Sequence, residues 1–144
     1  MSIAVIDYGS GNLKSAAKAL EVAVNNVNLS SKIVVTSDPK IIKQSDKIIL
    51  PGQGSFRDCY LGIKKIPGLN ETLNEFVLVK KKPIFGICVG MQLFAKTGYE
   101  SQETKGFGWI DGEVRKINNI NKTLKLPHMG WNEIELKKDC FLFS

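Results

Sequence analysis

Cys88 stands in Gly86-Ile87-Cys88-Val89-Gly90. A nucleophile between two glycines has the form of the G-x-S-x-G elbow of hydrolases, with sulfur in place of oxygen. Pro83 to Ile87 read as a strand before it, and Met91 to Lys96 as a helix after it. A sharp strand-to-helix turn forces such a residue into a strained backbone conformation, and the flanking glycines let strand and helix pass closely. The thiol is then expected at the carboxyl end of a central strand, where open α/β sheets bind ligands. There it faces a helix N-terminus, whose dipole favours the thiolate. The Val89 N–H points toward the same space as a donor to an oxyanion. The pattern alone also fits a small cysteine buried in the core.

Two glycine-rich loops compete for the same edge. Pro51-Gly52-Gln53-Gly54-Ser55-Phe56 follows another short apolar run. If both strands belong to one parallel sheet, the Gln53 N–H is a second oxyanion donor; by itself the segment is also an ordinary proline-glycine turn. Tyr8-Gly9-Ser10-Gly11-Asn12 resembles a phosphate loop only superficially. A dinucleotide fingerprint needs a glycine where Lys14 stands, and a Walker loop needs Gly-Lys-Ser where Leu13 precedes Lys14-Ser15. A flavodoxin-like nucleotide-binding domain is disfavoured on that ground.

The elements that must carry these loops alternate. Ser2 to Ile6, Lys32 to Val35, Lys47 to Leu50 and Pro83 to Ile87 read as strands. Leu13, Ala16, Ala17, Leu20 and Val24 share one helical face, Asp38-Pro39 reads as a helix start, and a further helix begins near Phe56. The spacing of Leu73, Phe76, Val77 and Lys80 predicts a helix over 70–81. Such alternation implies a parallel sheet with helices on both faces. Beyond Gly98 the rhythm becomes β-rich: Trp109 to Ile117, Lys125 to Met129 and Trp131 to Leu136 read as strands.

The 144 residues suffice for one domain with a hydrophobic core, and 43% hydrophobic with 24% charged residues is ordinary for a globular chain. Three widely spaced cysteines, Cys59, Cys88 and Cys140, suit neither a disulfide framework nor zinc, but one reactive thiol in a reducing compartment. The net charge of +6 is scattered lysine, and Lys80-Lys81-Lys82 reads as a solvated helix end rather than a nucleic-acid patch. No membrane-spanning stretch or signal peptide is evident, so the expectation is a cytoplasmic protein. The ending Phe141-Leu142-Phe143-Ser144 carries no terminating signal, which reads as an incomplete domain.

Taken in order, Asp7 to Leu13, Pro51 to Phe56, Gly86 to Gln92, Gly106 to Ile110 and Pro127-His128-Met129-Gly130-Trp131-Asn132 resemble the glutaminase-subunit family of imidazole glycerol phosphate synthase. That family lies within the class I glutamine amidotransferases, and the resemblance spans Ile3 to about Leu136. It implies a flavodoxin-like parallel sheet plus a β-rich section, in a single partial domain over 1–144. By the same resemblance Cys88 attacks the side-chain amide of glutamine, with Val89 and Gln53 forming the oxyanion hole. Gly52 and Gln92 help to hold the substrate. Ammonia passes to a cyclase subunit, in a heterodimer whose interface includes Tyr8, Asn12, His128 and Trp131. No cofactor or metal is implied.

The family's catalytic histidine and its carboxylate lie further toward the C-terminus than this sequence reaches. His128, the single histidine, belongs to a different segment. The expectation is a chain inactive alone. Competing readings are an amidotransferase serving another synthase, such as one aminating a surface sugar, and a non-catalytic partner-binding module.

Overall fold

A computed structural model of the chain describes residues 1–118 and 125–137. Cys140 and the apolar ending expected to mark an incomplete domain lie outside the described residues.

The short apolar runs become four parallel strands: β1 (Ser2–Ile6), β2 (Lys32–Thr36), β3 (Lys47–Gly52) and β4 (Ile84–Cys88). Their order in the sheet is β2-β1-β3-β4. Because β2 lies on one side of β1 and β3 on the other, the loops after β1 and β3 part at their carboxyl ends, where doubly wound sheets open a crevice. The Tyr8–Asn12 and Gly52–Ser55 segments occupy that place.

Alternate residues of each strand face opposite layers. Ile3, Val5 and Ile49 meet Leu13, Ala16, Leu20 and Val24 of α1 (Leu13–Asn26). Ala4, Ile6, Ile48 and Leu50 face the larger core, built with Ile42 of α2 (Pro39–Gln44) and Phe56, Cys59 and Ile63 of α3 (Phe56–Lys65). Leu69 and Leu73 of α4 (Leu69–Asn74) complete it with Phe76. Helices therefore cover both faces, as the alternation predicts. The helix starts are chemically marked: Asn12, Asp38 and Ser55 each accept a backbone N–H at an N-cap.

Three expectations are corrected. The helix predicted over 70–81 is α4 followed by a π-helical turn, Glu75–Val79. Phe76 stays buried, while Leu78 and Val79 are exposed. At the junction Asn74 accepts from Trp109 Nε1 at 2.8 Å, tying this helix to the second sheet.

The helix predicted over Met91 to Lys96 is only α5 (Val89–Gln92), and β5 (Ala95–Tyr99) begins at once. Tertiary bonds outweigh local periodicity here: Leu93, Phe94 and Ala95 accept N–H groups from Phe107, Ile110 and Gly108 at 2.8, 2.9 and 3.1 Å. Leu93 is fully buried, and Phe94 lies against the stacked Phe107–Trp109 pair.

The β-rich section is a three-stranded sheet ordered β6-β5-β7, with β6 (Glu103–Lys105) antiparallel and β7 (Ile110–Arg115) parallel to β5. β7 matches the expected Trp109 to Ile117 strand. The segments Lys125 to Met129 and Trp131 to Leu136 form no strand. Among the described residues neither segment pairs with a strand, and Met129 and Trp131 are 87% and 103% exposed. Among the described residues no helix is long and apolar enough to cross a membrane.

Candidate active site

Cys88 ends β4 and is the N-cap of α5, with φ 55° and ψ −119°. An L-residue rarely holds this conformation, which costs about 1–3 kcal/mol and persists only where the surroundings enforce it. The surroundings are backbone. Cys88 pairs with Gly52 across the β3–β4 ladder. A Cβ on Gly90 would lie 1.9 Å from the Leu50 carbonyl oxygen, and one on Gly86 2.4 Å from Met91 Cα. Only glycine permits these approaches, so α5 is seated directly on β3 and β4.

The thiol is exposed at this corner, which overturns the alternative of a buried core cysteine. Cys59, by contrast, is fully buried, its thiol 3.4 Å from the Gln53 carbonyl and from Ser10 Oγ. The dipole argument for Cys88 is weakened by α5 itself: four residues sum few peptide dipoles. What remains is the local supply of donors. Val89 is the first residue of α5, and helix starts leave their N–H groups without intrahelical partners. The Cys88 side chain makes no capping bond that would occupy them.

Gln53 is placed differently from Val89. Its N–H donates to Ser10 Oγ at 3.0 Å, and Ser10 Oγ donates to the Gln53 carbonyl at 2.6 Å. The structure therefore brings the Pro51–Ser55 loop beside Cys88, but with the Gln53 amide engaged by Ser10. Sequence alone does not single out Ser10, whose loop reads as a failed phosphate loop and, by resemblance, as part of a partner surface. The signal was a lone hydroxyl among glycines.

Gln92, four residues beyond Cys88, lines a cavity of roughly 640 Å³ with Phe56, Glu100, Arg115 and His128. Cys88 is not among its lining residues; α5 joins the two. Glu100 accepts the Phe56 N–H at 2.8 Å, and Arg115 lies 4.2 Å over the Tyr99 ring while its Nε meets Glu113 at 2.7 Å. The cavity thus presents an acid and a base, a pair able to meet the ammonium and carboxylate of an amino acid. Neither was selected from sequence, where isolated charged residues between short strands carry no pattern.

The residues expected at a partner interface separate into two groups. Tyr8 is 5% exposed and belongs to the core, so its ring is no surface anchor; its hydroxyl donates to the Pro51 carbonyl at 2.6 Å. Burial pushes its phenol well above the ordinary value. Asn12 uses its side chain to cap α1, accepting from Ser15 N at 3.2 Å. His128 and Trp131 are exposed, with the His128 ring bonded to Asn132.

Comparison with known proteins agrees with this geometry. The family model for "Glutamine amidotransferase class-I" matches residues 4–143. The chain is 52% identical to the imidazole glycerol phosphate synthase subunit HisH of Pelagibacter ubique, over all of its own length and 68% of the relative's. The HisH subunit of Bradyrhizobium diazoefficiens is 50% identical over 96% of this chain and 64% of its own. That of Brucella suis is 47% identical over the whole chain and 67% of its own. The chain spans about two thirds of the length of these relatives. A strained cysteine at the end of a parallel strand, in a sequence matched throughout, places the chain in one family: it belongs to the class-I glutamine amidotransferases.

Proposed function

We propose that the chain carries the nucleophile, substrate and oxyanion elements of a glutaminase that supplies ammonia to a cyclase making imidazole glycerol phosphate. The observation that supports this most is the left-handed backbone at Cys88, opposite Gly52 and before a start of α5 that its N-cap side chain does not cap. Cys88 Sγ adds to the side-chain amide carbon of glutamine, and the carbonyl electron pair moves to oxygen. Val89 N–H stabilises that oxyanion; the Gln53 N–H joins it only with its bond to Ser10 released. When the carbonyl re-forms, the C–N bond breaks, and the nitrogen leaves as ammonia with the proton lost by the thiol. Water then cleaves the thioester, giving glutamate and the free thiol. Gly52 and Gln92 hold the substrate, and Glu100 and Arg115 offer its ammonium and carboxylate complementary charges.

His128, the only imidazole, is bonded to Asn132 and lines the cavity away from Cys88, so it is not assigned the role of base. The 144 residues taken alone are therefore expected to turn glutamine over slowly, since a missing general base costs about 10²–10⁴ in rate. The relatives are named as a subunit of imidazole glycerol phosphate synthase, which supports a partner subunit; the same proposal makes that partner the cyclase of a cytoplasmic heterodimer, with exposed Trp131 at the contact.

The test is selective alkylation. The chloroketone analogue of glutamine should modify Cys88 before Cys59 or Cys140, as read by peptide mass spectrometry, and excess glutamine should slow it. Modification of Cys59 first, or no protection by glutamine, would remove Cys88 from the role.

A further inference from the structure

Tyr8 lies between three parts of the site that sequence separates widely. Its hydroxyl donates to the carbonyl of Pro51, the residue before Gly52. A Cβ on Gly52 would lie 3.0 Å from that hydroxyl, 2.9 Å from the Val89 carbonyl carbon and 2.4 Å from Gly90 N. The phenol oxygen, the Gly52 backbone and the Val89–Gly90 peptide are thus packed one upon the next. The ring is held from behind: a Cβ on Gly62 of α3 would lie 3.1 Å from Tyr8 Cδ2 and 2.9 Å from the Tyr8 carbonyl oxygen.

We propose that Tyr8 is a positioning residue, whose hydroxyl holds the Pro51–Gly52 peptide and, through Gly52, seats the Val89–Gly90 peptide at the start of α5, on which the placing of the Val89 amide beside Cys88 depends. The inference rests on Cys88 being the nucleophile. The Pro51–Gly52 peptide lies at the end of the β3–β4 ladder, paired with Ile87 and Cys88, and the Tyr8 hydroxyl adds a second restraint by donating to the Pro51 carbonyl. The phenol supplies that restraint as a buried donor. Its effect belongs to the step that develops an oxyanion, not to the bare reactivity of the thiol.

Tyr8→Phe separates these, since it keeps the ring and removes the hydroxyl. Two electrophiles are compared on the same 144-residue chain. The chloroketone analogue of glutamine passes through an oxyanion; iodoacetamide does not. Tyr8→Phe should slow modification of Cys88 by the chloroketone about five- to tenfold, the worth of one hydrogen bond, and leave the iodoacetamide rate within about twofold. The ratio should hold across pH, because Tyr8 does not titrate there.

Equal slowing of both reagents, or of neither, overturns the assignment. So does loss of the folded state, because the hydroxyl would then hold the fold rather than the site. Gly62→Ala, which pushes on the ring while leaving the hydroxyl present, should give the same selective slowing. If the unmodified chain fails to label at Cys88, the nucleophile reading falls; if it labels and Tyr8→Phe changes nothing, only this inference does.

Discussion

Gly90→Ala tests the seating of α5. A Cβ there would come 1.9 Å from the Leu50 carbonyl oxygen, 2.8 Å from Leu50 C and 3.0 Å from Pro51 C. An ordinary C···O approach is about 3.3 Å or more, so roughly 1.4 Å must be opened. Leu50 cannot supply it, because β3 is hydrogen-bonded on both sides, to β1 and β4, and Leu50 is fully buried. The movement therefore falls on α5. Overpacking costs about 1–3 kcal/mol, and backbone against backbone belongs at the upper end. For a chain of this size that corresponds to a fall in melting temperature of about 10 °C. A helix shifted by an ångström also takes the Val89 amide beyond hydrogen-bond reach of an oxyanion, so chloroketone modification of Cys88 should fall further than stability does. Gly112→Ala is the control: its Cβ would meet only Ile110 Cγ2, at 4.0 Å, and stability should change by less than about 0.5 kcal/mol. Melting temperature and labelling rate are measured on both variants. A Gly90→Ala chain as stable and as reactive as the control would refute the close seating of α5 on β3.

Two further outcomes follow from other parts of the molecule. Trp131 is fully exposed, so Trp131→Ala should leave the melting temperature nearly unchanged yet, if the proposed cyclase contact holds, weaken cyclase binding by about 30-fold, as for an aromatic anchor; a large stability loss without a binding defect would count against the proposed interface. Asp46 accepts from Ser2 N at 2.7 Å and from Ser2 Oγ at 3.2 Å, and the Ser2 N–H chiefly holds its carboxyl below the ordinary value. A group whose folded value is depressed stabilises fully above its unfolded value, about 3.9, and loses this as pH falls through the folded value. The melting temperatures of the parent and Asp46→Asn should therefore differ near neutrality and converge below about pH 4; a constant difference across pH would show that the carboxylate charge is not involved.

The parallel sheet was legible because its strands are apolar runs bounded by strong punctuation: Asp7 and Gly9 after β1, Asp38-Pro39 after β2, Gly54 after β3. Cys88 was legible for a similar reason, since the strained turn at 88 and the close passages at 86 and 90 demand particular residue types at particular positions. The stretch after α5 was not. Leu93 and Phe94 satisfy a helical period, but they are buried by a turn that hands the chain to β5. β6 is three polar residues, Glu103-Thr104-Lys105, and is set by pairing with β5 rather than by its own pattern. Tyr8 was misplaced for a further reason: an aromatic ring beside flexible glycines resembles a surface anchor until Gly62 is seen to leave a slot for it.

The two sides of the site differ in what builds them. The Cys88 side is mostly backbone: the Gly52–Cys88 pairing, the carbonyl of Leu50 beneath Gly90, and Met91 beside Gly86. Strain at Cys88 persists there because any relaxation of its φ would pull α5 off a strand held on both edges. The cavity side is mostly side chains from the second sheet and the 126–128 segment, and two of its charged groups are tied to other polar partners, Glu100 to the Phe56 amide and Arg115 to Glu113. Substrate can exchange with partners of that kind without disturbing β3 or β4. A rigid corner at Cys88 and an adjustable wall in the cavity suit the proposed amide cleavage, in which an oxyanion donor must be in place before the charge develops, whereas the ends of the substrate need only be held.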